Sequence, residues 1–180
     1  MRILMISAEG PPLVRAGALV DVLDALPREL RAHGHEVSVT LPYYCEIREN
    51  TAFKEEDTGV TVDVRVGDKI YIAEYLQGHS PSGVQLFFVR CDEFFDRDGI
   101  YGEHGTTYED NAARFIFFSK AAVELARRSS LGNHVSDSGL RHVNDLLAGC
   151  DRPAKHVGIF SSASQRSCWS EFFAIRSQRH

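Results

Sequence analysis

The sequence predicts a single α/β domain. Three observations carry that reading: an unbroken apolar run at the start of the chain, an amphipathic helix behind it, and a second apolar run that closes a strand–helix–strand unit within the first 41 residues. A length of 180 residues leaves room for one domain with a real core.

Arg2–Ser7 is apolar enough for a strand buried on both faces, and Glu9-Gly10-Pro11-Pro12 ends it. Leu19, Val22, Leu23, Leu26 and Leu30 recur at helical spacing, so a helix is expected from about Leu19 to His33. Pro27 falls inside that pattern and is expected to kink it, and Gly34 ends it. Val37–Leu41 is the next strand. Because parallel strands need such a crossover, the unit reads as right-handed βαβ.

Thr58–Val66 alternates Val60, Val62, Val64 and Val66, and Gly67-Asp68 signals a tight turn. Lys69–Leu76 is the return strand, with Ile70, Ile72 and Glu74 on alternate positions, and Val84–Val89 is a further strand. Residues 92–109 read as loop. Asp110 is an expected N-cap for a helix over 111–128, with Phe115, Phe118, Ala122 and Leu125 on its apolar side and Arg127 and Arg128 at its C-terminal end.

The composition changes near Arg128. Residues 1–128 hold 14 Lys+Arg against 21 Asp+Glu, whereas 129–180 hold 6 against 4; serine goes from 5 to 10. This shift places a boundary between a periodic domain, 1–128, and a divergent tail, 129–180. Two readings of the tail stand: a frame-shifted or truncated continuation, or a genuine variant ending in which Phe172–Ile175 packs on the domain.

A net charge of −5 argues against a nucleic-acid binder. The longest apolar runs fall short of a membrane span or signal-peptide core, so a cytoplasmic protein without membrane attachment is expected. Cys45, Cys91, Cys150 and Cys168 form no CxxC pair and read as free thiols. Asp92-Glu93 and Asp96/Asp98 read as a solvated acidic rim rather than a metal or acid/base site, and neither metal nor cofactor is expected.

Two loops carry chemistry. Ligands of open α/β sheets bind beyond the carboxyl ends of the strands, and there Arg15-Ala16-Gly17-Ala18 leads into a helix whose first turn holds Asp21. Small residues admit a phosphate to the backbone, Arg15 can pair with it, and Asp21 can accept a sugar hydroxyl. The same residues also fit a tight turn and a favourable helix dipole. Neither GxGxxG nor a P-loop pattern is present. The second loop, 96–110, holds Tyr101 and Tyr108 among acids and glycines. It suits sugar recognition, and equally a loop pinned to the core by its tyrosines.

These motifs together resemble the bacterial glycogen synthase and plant starch synthase family. The matching residues are Ser7-Ala8-Glu9, Arg15–Val22, Ala25-Leu26-Pro27, Gly34–Val37, Gly99–Gly102 and Tyr108–Phe115 running on to Ala122. The resemblance implies the Rossmann-like N-terminal half of a GT-B glycosyltransferase, with an inserted β-hairpin. It implies transfer of glucose from ADP-glucose to the non-reducing end of an α-1,4-glucan with retention. It places Arg15, Gly17, Ala18 and Asp21 at the donor, and Tyr101, Asn111, His142 and Asp145 in the sugar or acceptor cleft. Arg15 and Ala18 stand where the family has lysine and glycine, and His142–Asp145 matches a family segment without its tryptophan. The family's C-terminal nucleotide-binding domain has no counterpart in the 180 residues. Little activity is therefore expected of this chain alone. A non-catalytic glucan-binding remnant, or pairing with another synthase chain, is the alternative.

Overall fold

A computed structural model describes residues 2–10, 19–51, 53–128 and 173–176. Strands β1 (Arg2–Ile6), β2 (Glu36–Pro42) and β5 (Gln85–Arg90) form a parallel core, with β2 between the other two. Helix α1 (Leu19–Ala32) crosses from β1 to β2, as the βαβ reading expected. Hairpin strands β3 (Glu56–Val66) and β4 (Lys69–His79) extend the sheet antiparallel beyond β5. Beyond β1 lies β8 (Phe173–Arg176), also antiparallel, so four residues of the tail form the sheet's other edge.

The parallel strands are buried on both faces, as their apolar runs require. Leu4, Met5 and Ile6 are all buried, as are Val37, Val39 and Leu41. α1 packs against β2, and Leu23 and Leu41 meet beside Gly10. The opposite face carries α4 (Asn111–Arg128), anchored where the Tyr75 hydroxyl donates to the Ala121 carbonyl at 2.8 Å. Phe117, Phe118, Ala121, Ala122 and Leu125 are its buried contribution. A helix on each face makes the sheet doubly wound.

The hairpin and α1 depart from the simple apolar pattern. The inward face of β4 is Tyr71, Ala73 and Tyr75, and Ile70 and Ile72 are more than half exposed. The reason is register: Val62 pairs with Ala73 and Val64 with Tyr71, so the buried valines carry that set inward with them. Val60 is at the surface, inside the register shift between Asp57 and Thr61. In α1 the buried residues are Val20, Leu23 and Pro27, with Val22 and Leu26 exposed. Pro27 does not interrupt the helix, and its ring is fully buried.

The stretch read as loop holds a one-turn helix, α3 (Asp92–Phe95), and a two-residue-a-side hairpin, β6 (Gly102–Glu103) with β7 (Thr106–Thr107). A second short helix, α2 (Cys45–Glu49), follows β2. Phe94 and Phe95 of α3 are buried against Tyr71 and Phe117, with ring centroids 4.5 Å (Phe94–Tyr71) to 6.2 Å (Phe95–Phe117) apart. This aromatic cluster fastens the loop region to both the hairpin and α4.

Candidate functional site

The carboxyl ends of β1, β2 and β5 face one edge of the sheet, where the segments that leave them meet. Ser7 continues the β1–β2 ladder, its N–H donating to the Thr40 carbonyl at 3.0 Å. Its Oγ then donates to the Glu9 carbonyl at 2.8 Å, and the Glu9 N–H returns a 3.3 Å bond to Oγ. This local turn swings Glu9 off the strand end. Tyr44, which follows β2, supports it from below: the ring is fully buried and its hydroxyl donates to the Ala8 carbonyl at 3.0 Å.

Glu9 is buried to 7 % exposure, with its Oε1 accepting a 2.5 Å bond from the Tyr101 hydroxyl. Burial pushes its carboxyl above the usual glutamate range, and the Tyr101 bond pulls the other way. Tyr101 itself is half-buried, with its ring 5.6 Å from that of Phe115 in α4. A carboxylate and a phenol at the mouth of an α/β sheet can accept and donate to the hydroxyls of a sugar.

Behind Tyr101 stands a second layer. Asn111 opens α4 as a buried residue; its Nδ2 donates to the Tyr101 carbonyl at 2.7 Å and its Oδ1 accepts from Arg114 Nη1 at 2.6 Å. Arg114 is fully buried. It also donates from Nε to the Phe94 carbonyl at 2.7 Å and from Nη1 to the Ile100 carbonyl at 2.8 Å. Its guanidinium lies 4.9 Å from the centroid of the Tyr108 ring, and that of Arg97 lies 5.2 Å from the same ring. Asp110, the residue before α4 as expected, holds Arg97 through two bonds of 2.9 and 2.8 Å.

On the outer side of this loop an open cavity of about 400 Å³ is lined by Cys45, Arg48, Glu49, Asp98, Glu103 and Tyr108, among others. Arg48 and Asp96 close one wall as a bidentate pair. No group of three or more His, Cys, Asp or Glu is placed to hold a metal among the described residues.

The expected site residues are thus distributed unevenly. Tyr101 and Asn111 come together at the sheet edge. Asp21 is exposed in the first turn of α1. Arg15, Gly17, Ala18, His142 and Asp145 lie outside the described residues. Glu9 and Arg114 join the site; both fall in segments that carry the family resemblance, without a site role assigned to either. Glu9 could have been found as an acid directly after a buried strand; Arg114 looks like any polar residue on a helix.

The carboxyl of Glu9 titrates higher in the folded chain than in the unfolded one. Its contribution to stability is therefore complete below the ordinary glutamate pKa and is lost as pH rises through the raised folded value. Glu9→Gln, which carries no charge to bury, is expected to be more stable than the parent at pH 7, with the difference shrinking to nothing near pH 4. Urea unfolding of both chains across that range checks it. A difference that does not change with pH contradicts it.

The chain matches the family described as starch synthase catalytic domain over residues 2–151, past the compositional boundary at Arg128. A glycogen synthase of Syntrophotalea carbinolica is 36% identical over 149 residues, covering 83% of this chain and 29% of that protein. A glycogen synthase of Koribacter versatilis is 38% identical over 125 residues, 69% of this chain and 25% of its own length. Among solved structures, the catalytic domain of starch synthase IV from Arabidopsis thaliana, bound to ADP and acarbose, is similar with a TM-score of 0.59 and 29% identity. That match covers 69% of this chain and 24% of the other. The chain thus spans less than a third of the length of these relatives. No helix among the described residues is long and apolar enough to cross a membrane. The family match over residues 2–151 and the identity to these glycogen synthases show that the chain belongs to the starch synthase catalytic domain family.

Proposed function

We propose that this chain is the N-terminal, acceptor-side half of a cytoplasmic synthase that moves glucose from ADP-glucose to the non-reducing end of an α-1,4-glucan with retention. The observation that carries the reading is the Glu9–Tyr101 pair at the carboxyl edge of the sheet. It is supported by the family match and by a starch synthase neighbour bound to ADP and acarbose. In the transfer the bond from the sugar's C1 to ADP breaks, a bond from C1 to the acceptor oxygen forms, and the acceptor hydroxyl loses its proton. Glu9 and Tyr101 hold the acceptor's hydroxyls. Arg15, Gly17, Ala18 and Asp21 serve the donor side, and His142 and Asp145 the sugar cleft. Residues 1–128 act as the Rossmann-like domain, with 129–180 as its divergent continuation.

The 180 residues alone do not turn over. Transfer needs donor and acceptor held together in a closed, dry cleft, and one wall of that cleft belongs to the other half of the fold. Labelled ADP-glucose with glycogen tests this, first with the chain alone and then with a separately purified C-terminal half of a relative. No transfer alone and transfer on mixing is expected. Transfer by the chain alone contradicts the two-wall requirement.

The alternative reading is a non-catalytic α-glucan-binding remnant, or a partner of a full-length synthase. Glucan binding with no transfer in either mixture identifies it.

A further inference from the structure

We propose that Asn111 and Arg114 are positioning residues, which hold Tyr101 where its hydroxyl meets Glu9. The two residues occupy the first turn of α4 and act on the backbone of residues 100–101. Arg114 Nη1 takes the Ile100 carbonyl, and Asn111 Nδ2 takes the Tyr101 carbonyl, to which the Tyr108 N–H adds a 3.0 Å bond. Arg114 Nη1 also holds the Asn111 amide oxygen, which fixes which way that amide faces. From Nε the same guanidinium reaches the Phe94 carbonyl of α3, so its planar fork spans the segment that leaves β5 and the loop that carries Tyr101. Phe115, the residue after Arg114, sets the Tyr101 ring.

Stability alone does not account for this arrangement. Arg114 is buried with all three of its bonds on carbonyl oxygens, and its Nη2 has no hydrogen-bond partner among the described residues. A buried cation without a bonded carboxylate is a poor device for stability. What it supplies is geometry: several donors in one rigid plane, aimed at backbone on either side of the site.

This inference rests on the reading of Glu9 and Tyr101 as glucan-contacting residues, and the test separates the two. Arg114→Lys keeps the charge and loses the fork. Asn111→Asp keeps the acceptor for Arg114 and loses the donor to Tyr101, so it carries the test if Arg114→Lys does not fold. Tyr101→Phe is the benchmark. Three quantities are measured on each folded chain: the Glu9 titration by NMR of ¹³C-carboxyl glutamate, the affinity for maltoheptaose, and the urea midpoint. Loss of the Tyr101 bond in Tyr101→Phe raises the Glu9 titration. Arg114→Lys and Asn111→Asp are expected to raise it in the same direction and to weaken maltoheptaose about tenfold. A purely structural role moves the midpoint and leaves the Glu9 titration at its parent value; that result overturns the proposal. If Tyr101→Phe moves the titration and leaves maltoheptaose affinity unchanged, the glucan reading fails, and positioning is decided by the titration alone.

Discussion

Replacing Arg114 with methionine is expected to lower the unfolding free energy by about 3–5 kcal/mol, the cost of three buried acceptors left without a donor less the relief of the guanidinium's own burial. The methionine fills much of the same space, so the loss is not chiefly one of volume. The carbonyls of Phe94 and Ile100 and the Asn111 amide oxygen each lose a donor in a place water does not reach. A buried acceptor left unpaired costs about 1–3 kcal/mol. Relief of the guanidinium's own desolvation, which holds its pKa below the ordinary arginine value, offsets part of this. Equilibrium urea unfolding reads the difference. A methionine variant as stable as the parent means that the three carbonyls find other donors and that the second layer is not held by Arg114.

Phe117→Ala is expected to cost a similar amount, about 3–5 kcal/mol, through a different cause. Phe117 is fully buried, and its ring sits 5.2 Å from Phe94, 6.2 Å from Phe95 and 6.0 Å from Tyr71. Truncation leaves a cavity where α4, β4 and α3 meet, and these rings cannot all shift to fill it. Since α3 carries the Phe94 carbonyl that Arg114 holds, the damage should reach the loop as well. Faster amide exchange in residues 92–101 than in β1–β2 is the expected signature. A loss below 1 kcal/mol means that the cluster repacks.

How much of this could be read from sequence depended on the range of the signal. The βαβ unit, the hairpin turn at Gly67-Asp68 and the helix over 111–128 are written in local periodicity and turn chemistry, and each stands where expected. The inward face of β4 is not local. Ile70 and Ile72 look more apolar than Tyr71 and Ala73, and only the pairing with Val62 and Val64 decides which set meets α4. α3 is one turn long, too short for any period to show, and its burial comes from partners far along the chain. The site divides in the same way. Tyr101 could be singled out because it lies in a tyrosine- and glycine-rich loop, and Asn111, the first residue of α4, only through the family resemblance. The acid that Tyr101 meets is 92 residues earlier, and no spacing rule joins them. Arg114 falls in a family-like segment but carries no mark of its burial, because helical arginines are ordinarily solvated, and that burial follows from the carbonyls that the loop turns inward.

Glucan recognition by this chain is directly measurable. Affinity electrophoresis of the folded protein in gels containing glycogen, with maltoheptaose and then cellopentaose as competitor, measures it. Retardation that maltoheptaose relieves and cellopentaose does not, and that is weakened in Tyr101→Phe, is the predicted result. A folded chain that runs through glycogen unretarded contradicts an acceptor site at Glu9 and Tyr101.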